Sequence, residues 1–238
     1  MMNAVVKQMR DINRETFVST STIEYALVLV CLILIFFGVF NSALQAQFAL
    51  IDDHTILTVA LSKQPIWETI QYAFTSNIAT GGRFKPGHVL TPFIGIALVR
   101  TNPKLWHLAM ILAGLLTCLF FYASLRNLGL DIISSLFFIL LFTIVGAQNS
   151  IWYRLLTGET WGILFIAIAV WAGVYAAKTS KSPIWDIVFV AALFLAANFK
   201  GSFVLTIPAL LLLRWLLPDY HSVHSTRAAG TAILSLPM

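Results

Sequence analysis

Charge is the scarcest commodity in this chain. Of its 238 residues only 11% are charged, while 59% are hydrophobic. A soluble domain usually carries about 25% charged residues, because its surface must dissolve; that class is excluded. Cysteine is nearly missing as well. Cys31 and Cys118 are the two present. Both fall within apolar runs, where they read as packing residues, so neither a disulfide framework nor a thiolate metal site is indicated. A basic stripe is absent too. The net charge of +5 comes from 15 Lys and Arg scattered singly at the ends of apolar runs and in loops. Nucleic acid as a partner is therefore rejected, and the scattered cations read as charge retained at a membrane face. The chain has no G-x-x-x-x-G-K-[ST], H-E-x-x-H or G-x-S-x-G, which removes the common phosphate-loop, zinc-protease and serine-hydrolase signatures.

What is present is a series of apolar runs. In lipid the backbone must satisfy its own hydrogen bonds, so runs long enough to cross are helices. The period is not the alternation of a barrel strand. The first run covers residues 25–40, and Lys7, Arg10 and Arg14 precede it. Its polar, partly acidic leader is long for a signal peptide and shows no small-residue cleavage site, so it reads as a retained anchor. Further spans are expected at 105–125, 132–147, 161–177, 184–197 and 203–217, about six in all. The expected fold is all-α: a polytopic transmembrane helical bundle whose large external first loop carries juxtamembrane helices. Within that loop Pro65 suits a helix start, followed by Ile66, Trp67, Ile70 and Phe74 at helical spacing, and Gly81-Gly82 ends the pattern. Pro86–Val99 is apolar but short, which suits a re-entrant or juxtamembrane helix. The tail beyond Leu217 ends in a weakly apolar piece that would begin another span.

The basic residues predict a cytoplasmic N-terminus. If Pro86–Val99 does not cross, 8 of the 15 basic residues lie inside; if it does, 7 do. Charge alone does not choose, and the short length of Pro86–Val99 favours the first arrangement. Then the loop 52–104, the polar stretch 148–159 and the stretch 198–201 share the external side and can converge on one site.

Four groups could carry chemistry. Asp52-Asp53-His54 follows the first span. One carboxylate there can act as general base on an acceptor hydroxyl or amine, or help hold a divalent metal; the plain alternative is a solvated loop in which Asp53 caps a helix at 55–61. His54 reads as a bystander. Arg83 and Lys85 flank Phe84 ahead of Pro86 and suit a lipid phosphate, Arg as a fork and Lys as a point charge; the alternative is a pair of snorkelling cations. Arg154 and Glu159 lie in a polar, aromatic stretch before a span, where a carboxylate at a helix N-terminus is favoured in any case. Lys200 stands alone between two spans and reads more readily as an exposed anchor.

Taken in order, these pieces resemble the front half of the GT-C superfamily of integral-membrane glycosyltransferases, which use polyprenyl- or dolichyl-phosphate sugars. The superfamily includes protein O-mannosyltransferases and lipid-A aminoarabinose transferases. Asp52-Asp53 stands where the family has its acidic pair after the first span, and Arg83-Phe84-Lys85-Pro86 where it has a basic residue and proline. Asn102-Pro103…His107, Arg126-Asn127-Leu128-Gly129 and Arg154…Glu159 resemble later motifs. Gly87 replaces a second proline, and Lys200-Gly201 stands where some relatives have a basic-acidic pair. The short loops favour a bacterial inner-membrane protein, and the resemblance implies a membrane enzyme or its N-terminal module, spanning 1–238. It would transfer a sugar from a polyprenyl-phosphate donor to an acceptor on the external face. Arg83 and Lys85 would hold the phosphate, Asp52 or Asp53 would activate the acceptor, and no cofactor would be required, though a divalent metal could be accommodated. The competing readings are a transporter or flippase and a non-catalytic, truncated membrane scaffold.

Overall fold

The computed structural model describes residues 2–48, 54–61, 65–79, 86–144, 155, 158–178 and 183–217. Every regular element among them is a helix. The chain divides into two units, residues 1–41 and 42–238.

The first unit is most of helix α1 (Met2–Gln45). The helix starts well before the apolar run. Residues 2–45 contain no proline and a single glycine, Gly38, so nothing stops propagation once a turn has formed. Its apolar part, Thr22–Gln45, is 24 residues long, and the Phe36 and Phe40 rings meet along one face at 5.3 Å.

The second unit opens with three short helices, α2 (His54–Leu61), α3 (Ile66–Ala79) and α4 (Pro86–Val99). α2 begins at the residue after Asp53, α3 begins after Pro65, and α4 has the bounds that its apolar run predicts. On α3, Ile70 and Phe74 are half-buried while Trp67 is exposed. Five helices follow: α5 (Pro103–Asn127), α6 (Ile132–Ile144), α7 (Gly158–Lys178), α8 (Ile184–Phe199) and α9 (Gly201–Leu217). The first turns of α9, Gly201–Leu205, are 3-10.

Local chemistry sets these boundaries. Asn102 caps α5, its side chain accepting the Lys104 N–H at 3.1 Å, and Pro103 occupies the first helical position, where no N–H is needed. The helix stops in a Schellman arrangement. The Gly129 N–H reaches the Arg126 carbonyl, and the Leu130 N–H reaches that of Leu125. Gly129 takes a φ of +93°, which a side chain would resist. Asp131 then caps α6 through the Ser134 N–H at 2.9 Å and the Ser134 hydroxyl at 2.7 Å.

Three helices among the described residues are long and apolar enough to cross a membrane: Thr22–Gln45, Pro103–Asn127 and Gly158–Ala177. The spans expected at 184–197 and 203–217 are present as the apolar helices Ile184–Phe199 and Gly201–Leu217, each under 18 residues, and the described part of the span expected at 132–147 is the apolar helix Ile132–Ile144. α8 has 16 residues, about 24 Å at 1.5 Å per residue.

α7 and α8 form the most extensive contact, followed by α5 with α7. The ring contacts give the directions. Phe120 of α5 meets Trp171 of α7, and Trp171 meets Trp185 of α8. Phe165 of α7 stacks on Phe199 of α8, so α7 and α8 run antiparallel, with small residues (Ala169, Ala172, Ala192) buried where they meet. α6 folds back along α5, where Phe121 meets Phe138 and Phe142. Cys118 is buried there, its sulfur 3.6 Å from the Thr143 hydroxyl, as expected of a packing cysteine. Cys31 is exposed on α1.

α4 behaves differently from the longer helices. A Cβ at Gly87 would stand 3.1 Å from the Phe199 ring, at the last residue of α8. Near the other end of α4, a Cβ at Gly95 would collide with the Trp106 ring, in the first turn of α5. Ile96 and Val99 pack on Trp106 and Met110. Both ends of α4 thus touch the end of the helix group that holds the starts of α5 and α7 and the finish of α8. The turn into α5 carries Arg100 at a φ of +55°, held by a hydrogen bond from the Trp106 indole N–H to the Arg100 carbonyl at 2.8 Å.

Candidate functional site

At that end of the helices, α4, α7 and α8 bring polar groups together. Gly158 opens α7, and a Cβ there would collide with the Phe199 carbonyl oxygen. The next closest partner is the His88 Nδ1, at 3.6 Å. One turn further on, a Cβ at Gly162 would collide with the Phe203 ring of α9. Lacking side chains, these two glycines let the start of α7 lie directly on the α8–α9 junction. The spacing Gly158-x-x-x-Gly162 is a known device for close helix approach within apolar surroundings, and it is the signal by which sequence reading could have found this contact.

The close approach places Glu159 against Lys200. The Lys200 ammonium donates to Glu159 Oε1 in a part-buried ion pair. Glu159 lies in the first turn of α7, at the positive end of the helix dipole, where a carboxylate is favoured. Lys200 is both the C-cap of α8 and the N-cap of α9, so the two helix ends act on its charge in opposite senses and the Glu159 carboxylate is its specific partner. Lys200 is therefore not the exposed anchor it resembles in sequence. Its partner lies 41 residues upstream, where only the antiparallel packing of α7 on α8 can bring it. The half-buried Phe165 and Phe199 rings stack nearby along α7 and α8, with centroids 5.6 Å apart. The buried Leu155, Trp106 and Met110 form a small core alongside, with Trp161 packed on it.

No family model, curated protein or solved structure matches this chain. Its functional reading therefore rests on its own residues.

Of the sequence candidates, Glu159 and Lys200 are brought together. Asp52, Asp53, Arg83, Lys85 and Arg154 lie outside the described residues, as does any contact that His54, the first residue of α2, makes through its side chain. His88, which neighbours Gly158, is an addition that sequence reading did not single out. Among the described residues no three His, Cys, Asp or Glu side chains are grouped as a metal centre would need.

A second ion pair marks the other end of the same helices. Arg214 on α9 binds Asp186 on α8, Nη2 to Oδ1 at 2.9 Å and Nε to Oδ1 at 2.9 Å. Beside it on α7 and α8 lie Trp171, Tyr175 and Trp185, with ring centroids 4.8 to 5.8 Å apart. Asp131 also belongs to a helix end away from the Glu159 pair. The Ser134 N–H and then its hydroxyl hold the Asp131 carboxyl below the ordinary aspartate range.

Proposed function

We propose that this chain is the membrane-embedded core of a glycosyltransferase that moves a sugar from a polyprenyl-phosphate donor to an acceptor, with its chemistry at the end of the helices where Glu159 meets Lys200. The observation that supports it most is the convergence of three helix ends. The start of α4 touches the finish of α8, and the start of α7 touches both. In the sequence Lys85 directly precedes Pro86, the first residue of α4. A cation carried there can neutralise a lipid phosphate as it leaves, the contribution expected to lower the barrier most.

On this reading α1 and α5 to α9 are each membrane spans in a bacterial inner membrane. The N-terminus is cytoplasmic and the Glu159–Lys200 end is external. Arg83 and Lys85 bind the donor phosphate, and Asp52 or Asp53 takes the acceptor proton. Glu159 and Lys200 hold the floor of the site together, with Glu159 supplying the acid that Lys200-Gly201 lacks in sequence. A transporter is less well supported, because transporters set their ionisable groups at mid-membrane on broken helices; the Glu159–Lys200 and Asp186–Arg214 pairs involve residues at or near helix ends.

The test is sugar transfer from a polyprenyl-phosphate donor in membranes containing the full chain. Asp53→Asn and Lys85→Ala should each abolish transfer while expression stays intact. Retained transfer in both variants overturns the proposal.

A further inference from the structure

The charged ends of α8 stand close together for a membrane helix. From Asp186 to Lys200 the axial distance is about 21 Å at 1.5 Å per residue, whereas an ordinary hydrocarbon core is about 30 Å thick. Long cations usually ease such a mismatch by extending outward to the headgroups. Here each cation is engaged by a carboxylate instead: Lys200 by Glu159, and Arg214 by Asp186. Asp186 has a one-carbon stem and no reach of its own. Between the two pairs α8 presents Ile187, Val190 and Phe194, all more than half exposed, at the three- and four-residue spacing of one helix face. Leu211 and Leu212 on neighbouring α9 are exposed as well. The helices long enough for an ordinary bilayer within this unit, α5 and α7, are half-buried along their apolar windows.

We propose that the α8–α9 face is matched to a thin bilayer: it takes shorter acyl chains in preference to ordinary ones and draws thicker bilayers inward around itself. Lipid headgroups are thereby brought to the level of Glu159 and Lys200. The inference rests on the membrane reading given above, but not on glycosyl transfer. Mismatch costs a fraction of a kcal/mol for each ångström, so over this difference the lipid preference should be several-fold.

The full chain is reconstituted into phosphatidylcholine vesicles with monounsaturated chains of fourteen, sixteen, eighteen or twenty-two carbons. Relative lipid binding is read from quenching of tryptophan fluorescence by brominated lipid, and thermal unfolding is followed in parallel. Binding and unfolding temperature should be greatest at fourteen or sixteen carbons and fall at each longer chain. A maximum at eighteen or more, or a flat series, overturns the proposal while leaving the membrane reading intact. A chain that stays out of the vesicle fraction overturns both. In the double variant Asp186→Leu, Arg214→Leu the optimum should move to longer chains. An unmoved optimum removes the ion pair as the boundary of the apolar belt.

Discussion

Helix α8 carries an ion pair at each end. Lys200 binds Glu159 at one, and Asp186 binds Arg214 at the other. The chemistry is nearly the same and the setting is not. At the Lys200 end, backbone meets backbone: Gly158 lies on the Phe199 carbonyl, and Gly162 on the Phe203 ring. At the Asp186 end, rings fill the space between helices; the carboxylate there is the more exposed, 51% against 27% for Glu159, and the cation the less, 23% for Arg214 against 36% for Lys200. A tight backbone contact holds its helices at one spacing, while an aromatic cluster can repack. The difference teaches where this molecule invests rigidity, and it is at the end that carries the proposed chemistry.

Gly158 is the place to break that contrast most severely. Gly158→Leu should lower stability by about 1–3 kcal/mol, because the obstructing atom is a backbone oxygen that cannot swing away. Gly201→Ala, where an added Cβ meets nothing within 4 Å, should be close to neutral. Thermal unfolding in detergent reads both, and equal effects would mean that the close approach carries no weight. Next in size is the Glu159–Lys200 coupling. A double-mutant cycle with Glu159→Gln and Lys200→Met should give about 1 kcal/mol, held down by solvent screening of a pair that is part-exposed. The matching cycle on Asp186 and Arg214 should give about 0.5 kcal/mol or less. A larger value at the Asp186 end would invert the comparison.

The smallest effect is expected at Asp131. Its carboxyl is held below the ordinary range in the folded chain, so its ionised form contributes stability above the unfolded value, about 3.9. That contribution is lost as pH falls through the lower folded value. Asp131→Ala should therefore unfold at a lower temperature than the parent at neutral pH, and the gap should close on acidification. A gap that widens in acid would show that the cap does not depend on the charge.

Most of the helix boundaries were legible because breakers and caps mark them. Pro65, Pro86, Asn102-Pro103 and Gly129 each stand at an end of a helix. The extension of α1 back to Met2 was not legible from apolar periodicity, because that leader is polar and only the absence of breakers marks it. The length of α8 shows a second limit. Apolar composition predicts that a helix is buried or in lipid, but not that it spans. The candidate site was half legible. Glu159 was visible as an acid at a helix start, whereas the role of Lys200 depends on antiparallel register across 41 residues. No local pattern encodes that register. The nearest trace of it is the glycine pair at 158 and 162, which announces a close neighbour without saying which.

The antiparallel α7–α8 hairpin has a consequence for the order of assembly. Glu159 and Lys200 are carried by helices adjacent in the chain, so their meeting requires little loop closure and belongs to the contacts that form early. During synthesis, N-terminal elements become available first. The floor of the proposed site can therefore be in place once residue 200 has emerged and α8 has turned back along α7, before α9 arrives to cover Gly162 with Phe203.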